Sequence, residues 1–426
     1  MLFFSRGSAK DHLNADNLKS ALYSALDKLG KRKKVLTLPP DFTRFHSRAG
    51  ELTQYVWEYY RDNLTDILPA LGTHKPMTPD EIAEMFPGVP VKLFRIHDWR
   101  NGFTTLGKVP ADFIKSISED KVEYDLPAQL SKLLVEGSHD LILSIGQVVP
   151  HEVAGMANYN KNIFVGAGGA EGINKSHFLG AVYGMERIMG RRDNPVRQVL
   201  NYASDNFARQ LPIVYVLTVI GKDEFGNFVV RGLFIGDDME CFKSACELSL
   251  KVNFEVLDQP LEKVVVYLDP SEFKSTWLGN KSIYRTRMAI DDEGELIVLA
   301  PGLSQFGEDL QMDRLIRKYG YVGTERILEM VTENEDLQQN LGAAAHLIHG
   351  STENRFKVTY CPGKMTKQEI EQVGFQGADL NHIMNRYDPK QLQDGFNAMP
   401  DGEKIFYISN PATGLWAWKD RFKMFN

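Results

Sequence analysis

Apolar residues in the first third of the chain fall in short unbroken runs, and each run closes on a loop rich in polar chemistry. Residues 34–38 (Lys-Val-Leu-Thr-Leu) read as a buried strand halted by Pro39-Pro40. Residues 66–71 lead to Gly72-Thr73-His74, and 91–96 lead to His97-Asp98. Residues 140–145 lead to Gly146 and the loop that holds His151. Runs of this length bounded by Gly and Pro are the signature of buried strands. Between them, Thr78-Pro79-Asp80-Glu81 spells a capping box with proline at the first helical position, and so starts a helix. The pattern predicts another helix over about 174–189, with His177 in its first turn. Strands alternating with helices indicate an α/β fold, whose ligands sit beyond the carboxyl ends of the strands.

A second cycle follows. Residues 263–268 and 295–300 read as strands, and Pro301-Gly302 and Pro362-Gly363 mark loops after later strands. The expected division is a catalytic and cofactor-binding domain over 1–258 and a second α/β domain over 259–399, with a tail of about 400–426 returning to the first. The chain shows no repeat of solenoid period and no low-complexity tail.

A length of 426 residues supports two cores, and 43% hydrophobic with 25% charged residues is ordinary for a globular protein. The net charge of −7 argues against a general nucleic-acid binder. The run Lys31–Lys34 reads either as a solvated helix end or as a local basic surface, the former fitting better. Three cysteines, Cys241, Cys246 and Cys361, are too scattered for a disulfide framework, and the first two suit burial within a helix. No segment reaches the roughly eighteen apolar residues of a membrane span. The opening apolar patch is too short for a signal peptide's core and has no basic residue ahead of it. The expected location is the cytoplasm, with no membrane and no nucleic acid among its partners.

Candidate chemistry concentrates in Pro150-His151-Glu152-Val153-Ala154-Gly155, Lys161 and His177. Imidazoles and an amine can bind a metal, move a proton or attach to a cofactor. Any one histidine taken alone fits a structural role; His74, His151 and His177 together with Lys161 point to a site. Neither HExxH nor CxxC occurs, so a closed structural zinc site is not expected. Asp41-Phe42-Thr43-Arg44 is either a surface turn with an ion pair or a carboxylate clamp in which the aspartate orients the guanidinium. Gly166–Gly172 before a helix could admit a phosphate, but the acidic residue that should follow a dinucleotide fingerprint is not evident.

These motifs, in this order and at these strand ends, resemble the lactate racemase family: nickel-pincer-nucleotide-dependent racemases and epimerases of 2-hydroxyacids. The similarity rests on Asp41–Arg44, Gly72–His74, Pro150–Gly155, Lys161 and His177, and covers most of residues 34–200. The resemblance implies two α/β domains with the active site in the cleft between them. It gives Lys161 the covalent thioamide link to the nickel-pincer nucleotide and His177 the nickel ligation. His74 and His151 become the acid/base pair on opposite sides of the substrate, and Asp41 and Arg44 line its pocket. It implies inversion at C2 by reversible hydride transfer through a 2-keto acid, with maturation proteins as transient partners that build the cofactor.

Two departures stand out. Relatives carry Gly-Gly-Arg before the lysine, where this chain has Asn158-Tyr159-Asn160. Where relatives present a Gln and a Lys to the substrate carboxylate, this chain offers Lys274 and Trp277. The expected substrate is therefore not lactate but a larger 2-hydroxyacid, a sugar acid or an aromatic one. The competing readings are an NAD- or zinc-dependent oxidoreductase or lyase of a hydroxyacid, and a non-catalytic ligand-binding relative. His346 and His349 could line the far wall or serve as core.

Overall fold

The computed structural model describes residues 1–424 and separates into two α/β units. The first comprises residues 1–179 and 188–253; the second comprises 180–187 and 254 onward. The chain therefore passes between units after Leu179, after Arg187 and after Asn253, whereas the sequence suggested a passage near 258 and a return near 400.

The first unit is built on a six-stranded sheet in the order Leu2–Gly7, Phe228–Gly236, Ile213–Lys222, Leu141–Gln147, Val35–Leu38, Leu64–Ile67. The last four are mutually parallel, and Phe228–Gly236 and Leu2–Gly7 join antiparallel to their neighbours. Every residue of Val35–Leu38 and of Leu141–Gln147 is buried, which is why they read as continuous apolar runs rather than alternating ones. The helix Ala15–Leu29 covers this sheet. It buries Leu18, Ala21, Leu22, Ala25 and Leu26, one helical stripe, behind a capping box of Asn14 and Asn17. The expected box at Thr78 and Glu81 likewise opens Pro79–Met85.

Two expected elements differ. The 66–71 strand ends at Ile67, because Pro69 has no amide N–H to donate to a ladder. The 91–96 run is a short 3-10 turn over Val91–Leu93 with one isolated bridge, Ile67 to Phe94. Val91 and Ile96 are exposed, so the run lacks the two-sided burial that a parallel strand needs.

The second unit carries its own six-stranded sheet: Gln376–Gly377, Lys357–Pro362, Ile290–Ala300, Leu261–Tyr267, Lys404–Ile408, Gly395–Ala398. All neighbours are parallel except the last pair. The tail expected to return to the first domain stays here instead. Lys404–Ile408 pairs with Leu261–Tyr267, and Leu415–Trp418 pairs with Phe254–Leu257, so ladder hydrogen bonds hold it. Residues 180–187 belong to this unit through Glu186, which accepts from Arg287 Nε at 2.6 Å. Arg287 in turn donates to the carbonyls of His349 and Ser351. No helix among the described residues is long and apolar enough to cross a membrane.

Candidate functional site

Three adjacent parallel strands of the first unit, Leu141–Gln147, Val35–Leu38 and Leu64–Ile67, point their carboxyl ends the same way. Their exit loops carry His151 with Lys161, Asp41 with Arg44, and His74. Backbone bonds extend the parallel pairing past the strand ends: Leu68 donates to Thr37 and Ala70 donates to Pro39. Gly72 then donates to Gly166 at 2.8 Å, tying the His74 loop to the Lys161 turn. Asn162 anchors that turn from below, donating to the Leu38 carbonyl at 3.1 Å and to Ser144 Oγ at 2.9 Å.

Asp41 is buried at the start of the 3-10 turn Phe42–Ser47. Its Oδ2 lies 2.6 Å from His74 Nδ1, and its Oδ1 accepts from the Thr43 hydroxyl and amide. Burial alone would raise this carboxyl. The charge and hydrogen bond of His74, then Thr43 and Arg44, outweigh it and bring it down to about 2. The aspartate thus serves His74 rather than orienting Arg44 by hydrogen bonding. Nδ1–H donated to the carboxylate fixes the His74 ring and leaves Nε2 outside the pair. Arg44 sits in non-helical conformation within the turn. Among the described residues its guanidinium makes no hydrogen bond, and its Nη1 is buried without a partner.

His151 leads a two-residue ladder, Pro150–His151 against Gly155–Met156. Its Nδ1 accepts from the amides of Val153 at 3.1 Å and Ala154 at 3.5 Å. An accepting Nδ1 places the proton of the neutral ring on Nε2, the opposite tautomer from His74. The hairpin needs glycine at 155: φ is +72°, and a Cβ there would lie 1.8 Å from the Arg191 carbonyl oxygen. Gly155→Ala should destabilise the first unit by roughly 2–4 kcal/mol, read as a lower midpoint of denaturant unfolding.

Lys161 lies in a helical turn that begins at Asn160 and continues through Asn162–Gly166. Burial and the nearby charges of Arg44 and Arg197, opposed by Glu152 and Asp41, lower its amine to about 8. His177 lies two turns into the helix Ala170–Tyr183 rather than in its first turn. Its Nδ1 donates to the Ile173 carbonyl at 2.7 Å, which leaves Nε2 as a lone-pair donor. Burial, with Lys161 and His74 adding, pulls this imidazole down to about 4 and keeps it neutral at physiological pH. Asp41, Arg44, His74, Glu152, Lys161 and His177 therefore form one electrostatic cluster, which His151 joins beside Glu152.

The glycine run serves packing. A Cβ at Gly168 would lie 1.9 Å from the Phe164 oxygen, and Gly172 donates its amide to Gln129 Oε1. His97 Nε2 donates to the Gly168 carbonyl. The close approach that suggested a phosphate is made by protein atoms.

Lys274 and Trp277 lie in the second unit. Lys274 is exposed, and Trp277 is half-buried and stacks on His346 with ring centroids 4.5 Å apart. His346 is clamped on both nitrogens by the hydroxyls of Tyr284 and Tyr321, at 2.9 and 2.8 Å, a structural arrangement that fixes the indole. His349 is buried and packs edge-on to Tyr284.

Two participants were not singled out from the sequence. Glu152 was quoted only as part of a motif. Arg197 lies on the buried stripe of Pro195–Phe207 with Val196, Val199, Leu200 and Ala203, and an arginine on an apolar stripe was the signal available.

No protein of curated function matches the chain in sequence. The fold matches the crystal structure of a Thermotoga maritima protein at TM-score 0.81 and 25% identity, over 95% of this chain and 98% of that one. It also matches the lactate racemase apoprotein of Thermoanaerobacterium thermosaccharolyticum at TM-score 0.70 and 18% identity, over 97% and 93%. The model of the lactate racemase N-terminal domain matches from residue 16 to residue 188, a span that holds Asp41, Arg44, His74, His151, Lys161 and His177. Over residues 16–188 the chain is thus similar to the lactate racemase N-terminal domain.

Proposed function

We propose that the protein is a racemase or epimerase of a 2-hydroxyacid that works with a nickel-pincer nucleotide held by Lys161 and His177. The observation that carries this reading is the clustering of a depressed amine, a neutral imidazole with Nε2 unprotonated, and an Asp41–His74 pair beside an unpaired guanidinium. The donor set suits such a group. Among the described residues no three His, Cys, Asp or Glu side chains converge on one point, so a metal here would take most of its donors from a non-protein ligand. His177 Nε2 would be the protein's donor to such a metal, and Lys161 would hold the organic group that brings the others. When bound, the group would supply a carbon able to accept and return hydride.

The remaining work falls to the protein. Arg44 would hold the substrate carboxylate in bidentate fashion. His74 Nε2 would take the hydroxyl proton, and the resulting imidazolium would be stabilised by Asp41. His151, protonated on Nε2, would offer a proton to the oxygen when the other face is served. Loss of hydride from C2 avoids forming a carbanion next to an ionised carboxylate. The substrate is proposed to be a 2-hydroxyacid larger than lactate.

Intact-protein mass spectrometry and metal analysis, on protein co-produced with cofactor maturation proteins, test the reading. The expected result is a mass increase that maps to Lys161, near-stoichiometric nickel, and inversion of at least one acid in a panel of lactate, sugar acids and aromatic 2-hydroxyacids. An unmodified Lys161 without nickel, alongside a loaded lactate racemase prepared in the same way, would refute it.

A further inference from the structure

The turn that delivers Lys161 is built from residues that disfavour it. Asn158 and Tyr159 adopt φ of +67° and +58°, two consecutive left-handed non-glycine residues. Side chains larger than glycine adopt this region reluctantly, and a bulky one seldom does so without support from its surroundings.

The support comes from two directions. The Tyr159 ring stacks on Phe242 at 4.9 Å with planes 13° apart and packs on Tyr215 at 4.4 Å. Arg197, 1% exposed, reaches the turn from the helix Pro195–Phe207. Its Nη2 donates to the Met156 carbonyl at 2.6 Å, and its Nη1 donates to the Asn158 carbonyl at 3.4 Å and to Asn160 Oδ1. Its guanidinium also lies over the Phe242 ring at 4.6 Å. Asn160 is held further by its own donation to Asn201 Oδ1 at 2.7 Å.

Among the described residues no carboxylate comes within ion-pairing distance of Arg197, and its Nε has no hydrogen-bond partner. Burying a guanidinium against carbonyl dipoles alone is costly, and an apolar side chain would fill the same stripe without that cost. We propose that Arg197 and Tyr159 are positioning residues for Lys161: they lock the left-handed turn 158–159 and hold the Lys161 amine in a buried, cation-flanked setting where it acts as a nucleophile.

The charged groups that act on that amine are Arg44 and Asp41 from the 3-10 turn, Glu152 from the hairpin and Arg197, and the amine in turn acts on His177. Burial is the largest cause that brings the amine down to about 8; the two arginines add to it and the two carboxylates oppose it. The inference rests on the proposed anchoring role of Lys161. It is tested on protein made without the maturation proteins, so the absence of a cofactor adduct would bear on the proposed function and not on this point.

The test is trace acetylation by acetic anhydride from pH 6 to 10, with peptide mass spectrometry of Lys161 against the exposed Lys92 and Lys390. The neutral amine attacks one anhydride carbonyl, acetate leaves, the amine proton passes to solvent and an amide forms. In the unaltered protein Lys161 should reach half-maximal labelling well below the pH at which Lys92 and Lys390 do. Arg197→Gln and Tyr159→Ala should each cut Lys161 labelling at pH 8 by about three- to tenfold relative to the references, up to one pH unit of displacement. Arg197→Lys should restore part of it, and Tyr159→Phe should leave it unchanged. If Arg197→Gln does not fold, the Tyr159 pair and Arg197→Lys decide the matter, with circular dichroism reporting intact structure. Unaltered Lys161 labelling in Tyr159→Ala and in whichever Arg197 variant folds would overturn the proposal, as would a Lys161 midpoint no lower than the references in the original protein.

Discussion

Lys161→Ala should leave the protein folded, without the mass adduct, and with racemisation reduced by at least about 10³-fold, to the level of protein lacking the cofactor. The amine is suited to acylation because it is held well below its ordinary range. An amine at about 8 is neutral at pH 7 on the order of 300-fold more often than an ordinary lysine. Folding should survive, since removal of a buried amine that has no hydrogen bond of its own relieves desolvation and leaves the Asn162 anchor in place. The neighbouring substitution separates attachment from metal binding. His177→Ala should lose nickel while Lys161 still carries the organic adduct, because the imidazole's part is to donate Nε2. Activity in Lys161→Ala equal to that of the loaded parent would end the cofactor reading, whatever the nickel content.

The sequence exposed this site through the strand ends. Val35–Leu38 and Leu141–Gln147 are buried on both faces, so their apolar runs are unbroken and their ends are sharp. The loops carrying Asp41, His74 and His151 follow directly. Partnerships were less legible. That Asp41 bonds His74 and not Arg44 depends on the pairing of Leu64–Ile67 with Val35–Leu38, which brings positions 33 residues apart to 2.6 Å. The helix holding His177 begins at Ala170 because Gln129 meets the Gly172 amide, a long-range contact without local signature. Gly184, with φ of +109°, sets its end at Tyr183. Residues 91–96 misled for the opposite reason: their composition suits a strand, but only one bridge forms and the ends lie in solvent. Arg197 was hidden because its role is to satisfy carbonyls of a turn about 40 residues earlier. The passages at 179 and 187 have no local signature, since contacts such as Glu186 with Arg287, 101 residues apart, and no change of composition place 180–187 in the second unit.

The two histidines are held in opposite tautomers, and this makes a second large effect direction-specific. His74→Gln and His151→Gln should each lower steady-state turnover by about 10²–10⁴-fold, the usual worth of a positioned acid or base. For a racemase the equilibrium constant is fixed at unity, so kcat/KM must stay equal for the two enantiomers in every variant, and steady-state ratios cannot reveal which histidine serves which face. A single turnover can. His74 is paired through Nδ1 with an Asp41 carboxylate able to stabilise its imidazolium, so the enantiomer whose hydroxyl meets His74 should form 2-keto acid in the first burst. The other enantiomer needs His151 Nε2 as a base. That requires the His151 ring to give up its Nδ1 bonds from Val153 and Ala154, and its burst should be slower. His74→Gln should abolish the fast burst and spare the slow one, whereas His151→Gln should do the reverse. Asp41→Asn should slow the fast burst alone, because the amide cannot stabilise a charged His74 as the carboxylate does. Equal loss of both bursts in each variant would mean that the histidines act as one unit, and the tautomer assignment would then have no part in choosing the face.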